Sequence, residues 1–210
     1  MSSSGNKNQI ISFLTLRTLI GVLGLLLPFL LVLFDSFSLG KPAIEPSISD
    51  YYDNGAAGDI LVGVLFVLGF FLLSYKGYEK IDNVSADLGC VFALGVALFP
   101  TTSENKLIHN LHFVFAFLLF STFIFFALVL FRKTDKIKKP TQQKLNRNRV
   151  FLICGIIMIL SVLGIILSVQ DVFGSEADRY SLIFWFETAA LIAFGFSWLV
   201  KGEVFWKDIK

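Results

Sequence analysis

The stretch 132–169, RKTDKIKKPTQQKLNRNRVFLICGIIMILSVLGIILSV, decides how the chain is read. Eight cations (Arg132, Lys133, Lys136, Lys138, Lys139, Lys144, Arg147 and Arg149) precede twenty residues that carry no charge. A bilayer core about 30 Å thick needs roughly 20 apolar residues in helical form. The spacing therefore predicts a membrane-crossing helix over 150–169 with a strongly basic approach.

Outward from this stretch, five more apolar runs occupy about 18–34, 59–75, 86–100, 107–131 and 181–200. The run ending at Pro100 is the shortest. Of the 210 residues, 55% are hydrophobic and 16% charged, too few charges to cover a water-soluble domain of this size. Mean hydropathy is +0.74. The 24 phenylalanines suit a lipid-facing surface. The expectation is an all-α polytopic membrane protein, one domain over 1–210 built as a bundle of six transmembrane helices. A cleaved signal peptide is the rival reading of the first run. That run is longer than a usual signal core, and no A-x-A-like site precedes Lys41, so it reads as a retained helix.

Charge orients the bundle. Lys7, Arg17, Lys76, Lys80, the eight cations of 132–149, Lys201, Lys207 and Lys210 fall on one side, leaving Lys41, Lys106 and Arg179 on the other. This positive-inside pattern predicts both termini in the cytoplasm (N-in/C-in), a basic cytoplasmic loop over about 132–149 and a first external loop over about 35–58. The expected location is the cell membrane, multi-pass, or the cytoplasmic membrane of a bacterium. Topology and anionic lipid headgroups account for the basic loop without nucleic acid. The expected partners are membrane lipids, with a homo-oligomer left open. Cys90 and Cys154 fall inside helices with no C-x-x-C, which points to small packing residues. Gly21 with Gly24, and Gly89 with Gly95, mark places for close helix approach, and Pro28 is expected to bend the first helix.

Polar groups within the spans are the candidate site. Glu187 lies about 9 Å below the outer end of the last span at 1.5 Å per residue, where an ionisable side chain is costly and calls for a polar partner. His109 and His112, the only histidines, share one helix face. With Glu187 they are the weak candidates for a metal, although no firm third ligand stands out. Asp59 suits the first turn of the second helix, where a carboxylate meets the positive end of the dipole. In the external loop, Asp50 accompanies Tyr51 and Tyr52, whose rings favour the membrane–water boundary. Asp50, Tyr51, Tyr52, Asp59, His109, His112 and Glu187 all map to the outer half, as one pocket roofed by the first loop. Arg17, Tyr75, Lys76, Tyr78, Asp82, Asp87, Asn146 and Arg147 form an opposite polar set expected to snorkel to headgroups, with Asp87 capping the third helix or pairing with Arg17.

No G-x-S-x-G, H-E-x-x-H or phosphate-cradling loop is present. No catalytic residue or cofactor is assigned, and the balance leans away from an enzyme. The run GVALFPTTSENKLIHNLHFVFAFLLF (95–120) resembles the bacterial and archaeal membrane family called domain of unknown function 998. In that family a glycine-rich helix ends in Phe-Pro before a short loop and a histidine-led helix. PSISD (46–50) is similar to a loop sequence of the DRAM-type six-helix family, departing from it after Asp50. The resemblance implies a six-helix plan and singles out Pro100 and His112, but carries no catalytic residues. The leading function is the binding of a lipid or small amphipathic ligand in an outer-leaflet pocket. The alternatives are a metal-dependent membrane enzyme acting on lipid and a small proton-coupled transporter.

Overall fold

A computed structural model describes residues 12–40, 44–77, 79–134 and 139–207. Lys7, Lys41, Tyr78, Lys136, Lys138 and Lys210 lie outside the described residues. Six long helices are apolar enough to cross a membrane: α1 (Phe13–Leu39), α2 (Ala56–Ser74), α3 (Lys80–Leu98), α4 (Lys106–Phe125), α5 (Gln142–Val169) and α7 (Leu182–Lys201). A five-residue helix, α6 (Ser175–Arg179), precedes α7, and a 3-10 turn (Ser49–Asp53) lies between α1 and α2. The protein is thus an all-helical bundle consistent with a multi-pass membrane protein.

Hydropathy locates the spans, and local capping sets their ends. Ser12 Oγ accepts from Thr15 N–H at 3.0 Å and opens α1. Gly40 closes it at φ +67°, a conformation that suits a residue without Cβ. The helix therefore runs through Asp35, where the first loop was expected to begin. Between Pro28 and the end of α1, Ser36 and Ser38 return their hydroxyls to the carbonyls of Val32 and Phe34. The third helix begins at Lys80, six residues before the apolar run, because Glu79 and Asp82 form a capping box. Asp87 is therefore an exposed residue inside α3 and not its cap, and Arg17 lies over the Tyr75 ring, 5.5 Å from its centroid. Thr141 caps α5, drawing Lys144, Arg147 and Arg149 of the expected basic loop into a helix. The fourth helix ends in a π-turn, Phe126–Leu130, closed by Phe131 N–H on Phe126 O at 2.9 Å.

Packing is organised around α7, which lies against α1 on one side and α5 on the other. Beyond α1 the order continues through α2 and α3 to α4. At the α1–α7 crossing the backbones nearly touch. A Cβ on Gly21 would sit 2.7 Å from Gly195 O, and one on Gly195 would sit 2.5 Å from Gly21 O. Gly95 receives the Phe115 ring, and Gly89 lies close to Leu72. Not all phenylalanines face lipid. Phe123 stacks on Phe194 with centroids 3.7 Å apart, and Phe126 and Phe131 surround Trp198 at 5.2 and 5.0 Å. Phe29, Phe70, Phe113 and Phe117 keep the expected exposed positions. Cys90 and Cys154 are buried free thiols.

The crossing gives a direct test. Gly195→Leu is expected to lower thermal stability in detergent by about 1–3 kcal/mol through overpacking. Gly63→Ala, where an added Cβ meets nothing within 4 Å, is expected to be neutral or slightly stabilising. Equal effects at the two positions would show that the α1–α7 approach does not limit packing.

Candidate functional site

The residues after Gly40 return over the bundle and are tied to it by backbone groups. Ile48 N–H donates to Glu187 Oε2 at 2.6 Å, and Phe184 N–H donates to Pro46 O at 2.9 Å, so α7 holds this segment at two points. Tyr52 Oη donates to Ala97 O at 2.9 Å, fastening the 3-10 turn to the end of α3. The turn also rests on α2, where Gly58 has no room for a side chain beside Tyr52 O. Ser47 Oγ donates to Asp50 Oδ2 at 2.8 Å and itself accepts from Asp50 N–H at 3.3 Å.

A cavity of about 490 Å³ opens beneath this cap, between α4, α5 and α7. Ser47, Ser49, Asp50, Thr101, Thr102 and Gln170 make its upper rim. The walls are apolar: Phe113, Phe117 and Phe120 of α4, Val162, Ile165, Ile166 and Val169 of α5, and Ile183 of α7. His109, His112 and Glu187 stand between rim and walls. A smaller apolar space of about 60 Å³, also bordered by His112 and Glu187, continues inward toward Leu65, Leu119 and Leu191.

The two imidazoles are oriented by carbonyls. His109 Nδ1 is 2.6 Å from Thr101 O, and His112 Nδ1 is 2.7 Å from Phe99 O. A carbonyl can only accept, so Nδ1 carries the hydrogen in both rings and Nε2 is the acceptor of the neutral form. His112 thereby pins the chain just before Pro100, which gives the Phe-Pro–histidine pattern a physical purpose. Each imidazole makes an edge contact with the Phe113 ring. Among the described residues, no group of three His, Cys, Asp or Glu side chains is placed to hold a metal ion.

Four of the seven expected residues (Asp50, His109, His112 and Glu187) therefore line one cavity, and three do not. Tyr51 is fully buried behind the cap, with its ring 6.2 Å from that of Phe184. Its hydroxyl accepts from Glu45 N–H at 3.1 Å. Burial pushes the Tyr51 phenol above the ordinary tyrosine range, against the Glu45 N–H bond and with help from the Asp35 and Glu45 carboxylates. That packing is kept below the ordinary pKa of a free phenol and is lost as pH rises through the raised value. Tyr52 anchors the turn, and Asp59 is exposed in the first turn of α2, where it meets the helix dipole. Asp35 was missed: it is 1% exposed, and its Oδ2 has no hydrogen-bond partner among the described residues. Its charge at the end of an apolar run looks like the start of a loop.

On the opposite, basic end, Arg147 does not snorkel. It is buried and donates to Trp206 O at 2.7 Å. Lys133 Nζ bridges Glu79 at 2.9 Å and Asp82 at 3.2 Å.

Glu187→Ala leaves the Ile48 N–H without its acceptor, which costs about 1–3 kcal/mol for a buried donor. It is expected to expose the segment around 44–55 to limited proteolysis. Glu187→Gln keeps an acceptor oxygen and is expected to protect that segment nearly as well as the parent. Equal cleavage of both variants and the parent would mean that this bond does not hold the cap. No protein-family model, curated protein or solved structure matches the chain, so the reading of the site rests on this geometry.

Proposed function

We propose that the chain is an integral membrane protein that holds a lipid or small amphipathic ligand in the capped cavity. The observation that supports this reading is the sorting of polarity within one space. Hydroxyls and Asp50 gather at the rim, the imidazoles and Glu187 stand next to them, and three phenylalanines with four aliphatic residues of α5 form the apolar walls. An amphipathic molecule fits such a gradient with its head among the polar groups and its chain between α4 and α5. The volume of about 490 Å³ lies within the roughly 300–1,000 Å³ range of small-molecule sites. Exposed Phe113 and Phe117 on α4 and Ile166 and Val169 on α5 border the gap, giving a hydrocarbon chain a lateral way in.

A metal-dependent enzyme has less support, because a zinc centre needs three or four protein ligands and, among the described residues, no group of three His, Cys, Asp or Glu side chains is placed to hold one.

Native mass spectrometry of gently extracted protein is expected to show a retained lipid or amphipathic adduct. Ala116→Trp, which fills the wall shared by the cavity and its inner extension, is expected to reduce that adduct by about tenfold or more. A parent protein that never carries an adduct, even with added lipid, would overturn the proposal.

We also place the basic end in the cytoplasm, following the distribution of Lys and Arg. Reporter fusions after Lys139 and after Gly174 are expected to report opposite compartments. The same compartment for both would break the threading.

A further inference from the structure

At the end of the bundle away from Glu187, six cations converge on a second cavity of about 610 Å³. Arg17 comes from α1, Lys133 and Lys139 from the α4–α5 connection, Lys144 and Arg147 from α5, and Lys201 from the last position of α7. Among the described residues, Glu79 and Glu203 line the same space with opposite charge. Threading a chain by the positive-inside rule requires cations in the loops, and exposed Lys76, Lys80, Arg149 and Lys207 already serve it. The rule does not require cations gathered into one concave wall.

These side chains are held in place. Lys144 Nζ donates to Phe131 O at 2.9 Å, and Arg147 Nη1 donates to Trp206 O. The Lys201 ammonium lies 5.2 Å from the centroid of the Phe131 ring. Phe131 itself is positioned by the π-turn at the end of α4, where its N–H returns to Phe126 O. A local irregularity of the kind often found at functional sites thus sets both a carbonyl and a ring in the cavity wall.

Lys133 is paired with Glu79 and Asp82, but cations outnumber the carboxylates that line this space, and a multivalent anion lessens the repulsion among them. A phosphomonoester carries close to two negative charges and three strong acceptor oxygens, which suits guanidinium and ammonium donors arriving from several directions. The cavity is many times larger than a phosphate group, leaving room for a headgroup against the apolar floor of Phe131 and Phe151. We propose that this basic cavity binds a phosphomonoester, as the headgroup of a lipid or as a free phosphorylated small molecule. The site is independent of the capped cavity at the other end.

Full-length protein in neutral detergent is to be titrated with dioctanoyl phosphatidic acid, dioctanoyl phosphatidylglycerol, dioctanoyl phosphatidylcholine and glycerol 3-phosphate, with binding read by native mass spectrometry and thermal shift. Phosphatidic acid is expected to bind about tenfold or more tightly over both diester lipids. Matching affinity for glycerol 3-phosphate would assign the site to free phosphorylated ligands, whereas much weaker binding would assign it to the lipid. The double variant Lys139→Gln with Lys144→Gln is expected to lose at least about tenfold in affinity, and Glu203→Gln to gain severalfold. If the double variant does not fold, Glu203→Gln decides alone. Unchanged affinity in a folded variant, equal binding of phosphatidylglycerol, or no binding of either phosphomonoester overturns the proposal.

Discussion

Hydrocarbon offers no hydrogen bonds, so a chain that crosses it must satisfy its own backbone wherever a helix stops. In this bundle that constraint explains the irregular pieces. The 3-10 turn sends its tyrosine hydroxyls and N–H groups to fixed partners, and Glu187 accepts from Ile48 N–H where an unpaired donor would be buried. The carbonyls of Phe99 and Thr101, freed where α3 ends, are taken by His112 and His109. Polar side chains that look like chemistry in a list of intramembrane residues are first of all closures. The rim hydroxyls are closures too: Ser47 donates to Asp50, and Thr101 donates to Ser49 O.

The six crossings were legible because twenty apolar residues in a row leave a helix few alternatives in a membrane. Their ends were not. Seven of the eight residues of α5 before Val150 are polar, and hydropathy cannot see a helix that projects beyond the bilayer. Asp35 was read as an exit because it is charged, yet α1 continues past it to a glycine with positive φ. Glu79 and Asp82 do spell a capping signal three residues apart, one that a search for apolar runs passes over. For the candidate site, His109, His112 and Glu187 stood out because ionisable groups are rare in spans. Ser47, Thr101 and Thr102 carry no spacing that separates them from any polar loop, and the burial of Tyr51 depends on where Phe184 lies.

The two ends of the bundle solve different electrostatic problems. The capped end gathers hydroxyls, imidazoles and carboxyls around a space walled by hydrocarbon, and its polar groups are occupied largely with backbone. The basic end gathers lysines and arginines and holds several of them on carbonyls and a ring. This contrast in lining is what the two proposals rest on, an amphipathic ligand at the capped end and a phosphomonoester at the basic end.

One helix takes part in both. Ile183 and Glu187 of α7 border the capped cavity, and Val200 and Lys201 border the basic one, about 21 Å apart at 1.5 Å per residue between Glu187 and Lys201. Between them α7 buries Leu191, Phe194 and Trp198. Phe194 is stacked on Phe123, and Trp198 is enclosed by Tyr75, Phe126 and Phe131. This aromatic layer separates the two cavities. A molecule moving along α7 from Glu187 to Lys201 would have to part the Phe123–Phe194 stack and displace a fully buried tryptophan, with Thr188 and Ser197 as the buried polar side chains that α7 itself supplies. Ser197 already donates to Phe194 O. The aromatic layer on α7 therefore lies between the two cavities, and α7 reaches each of them through a different end.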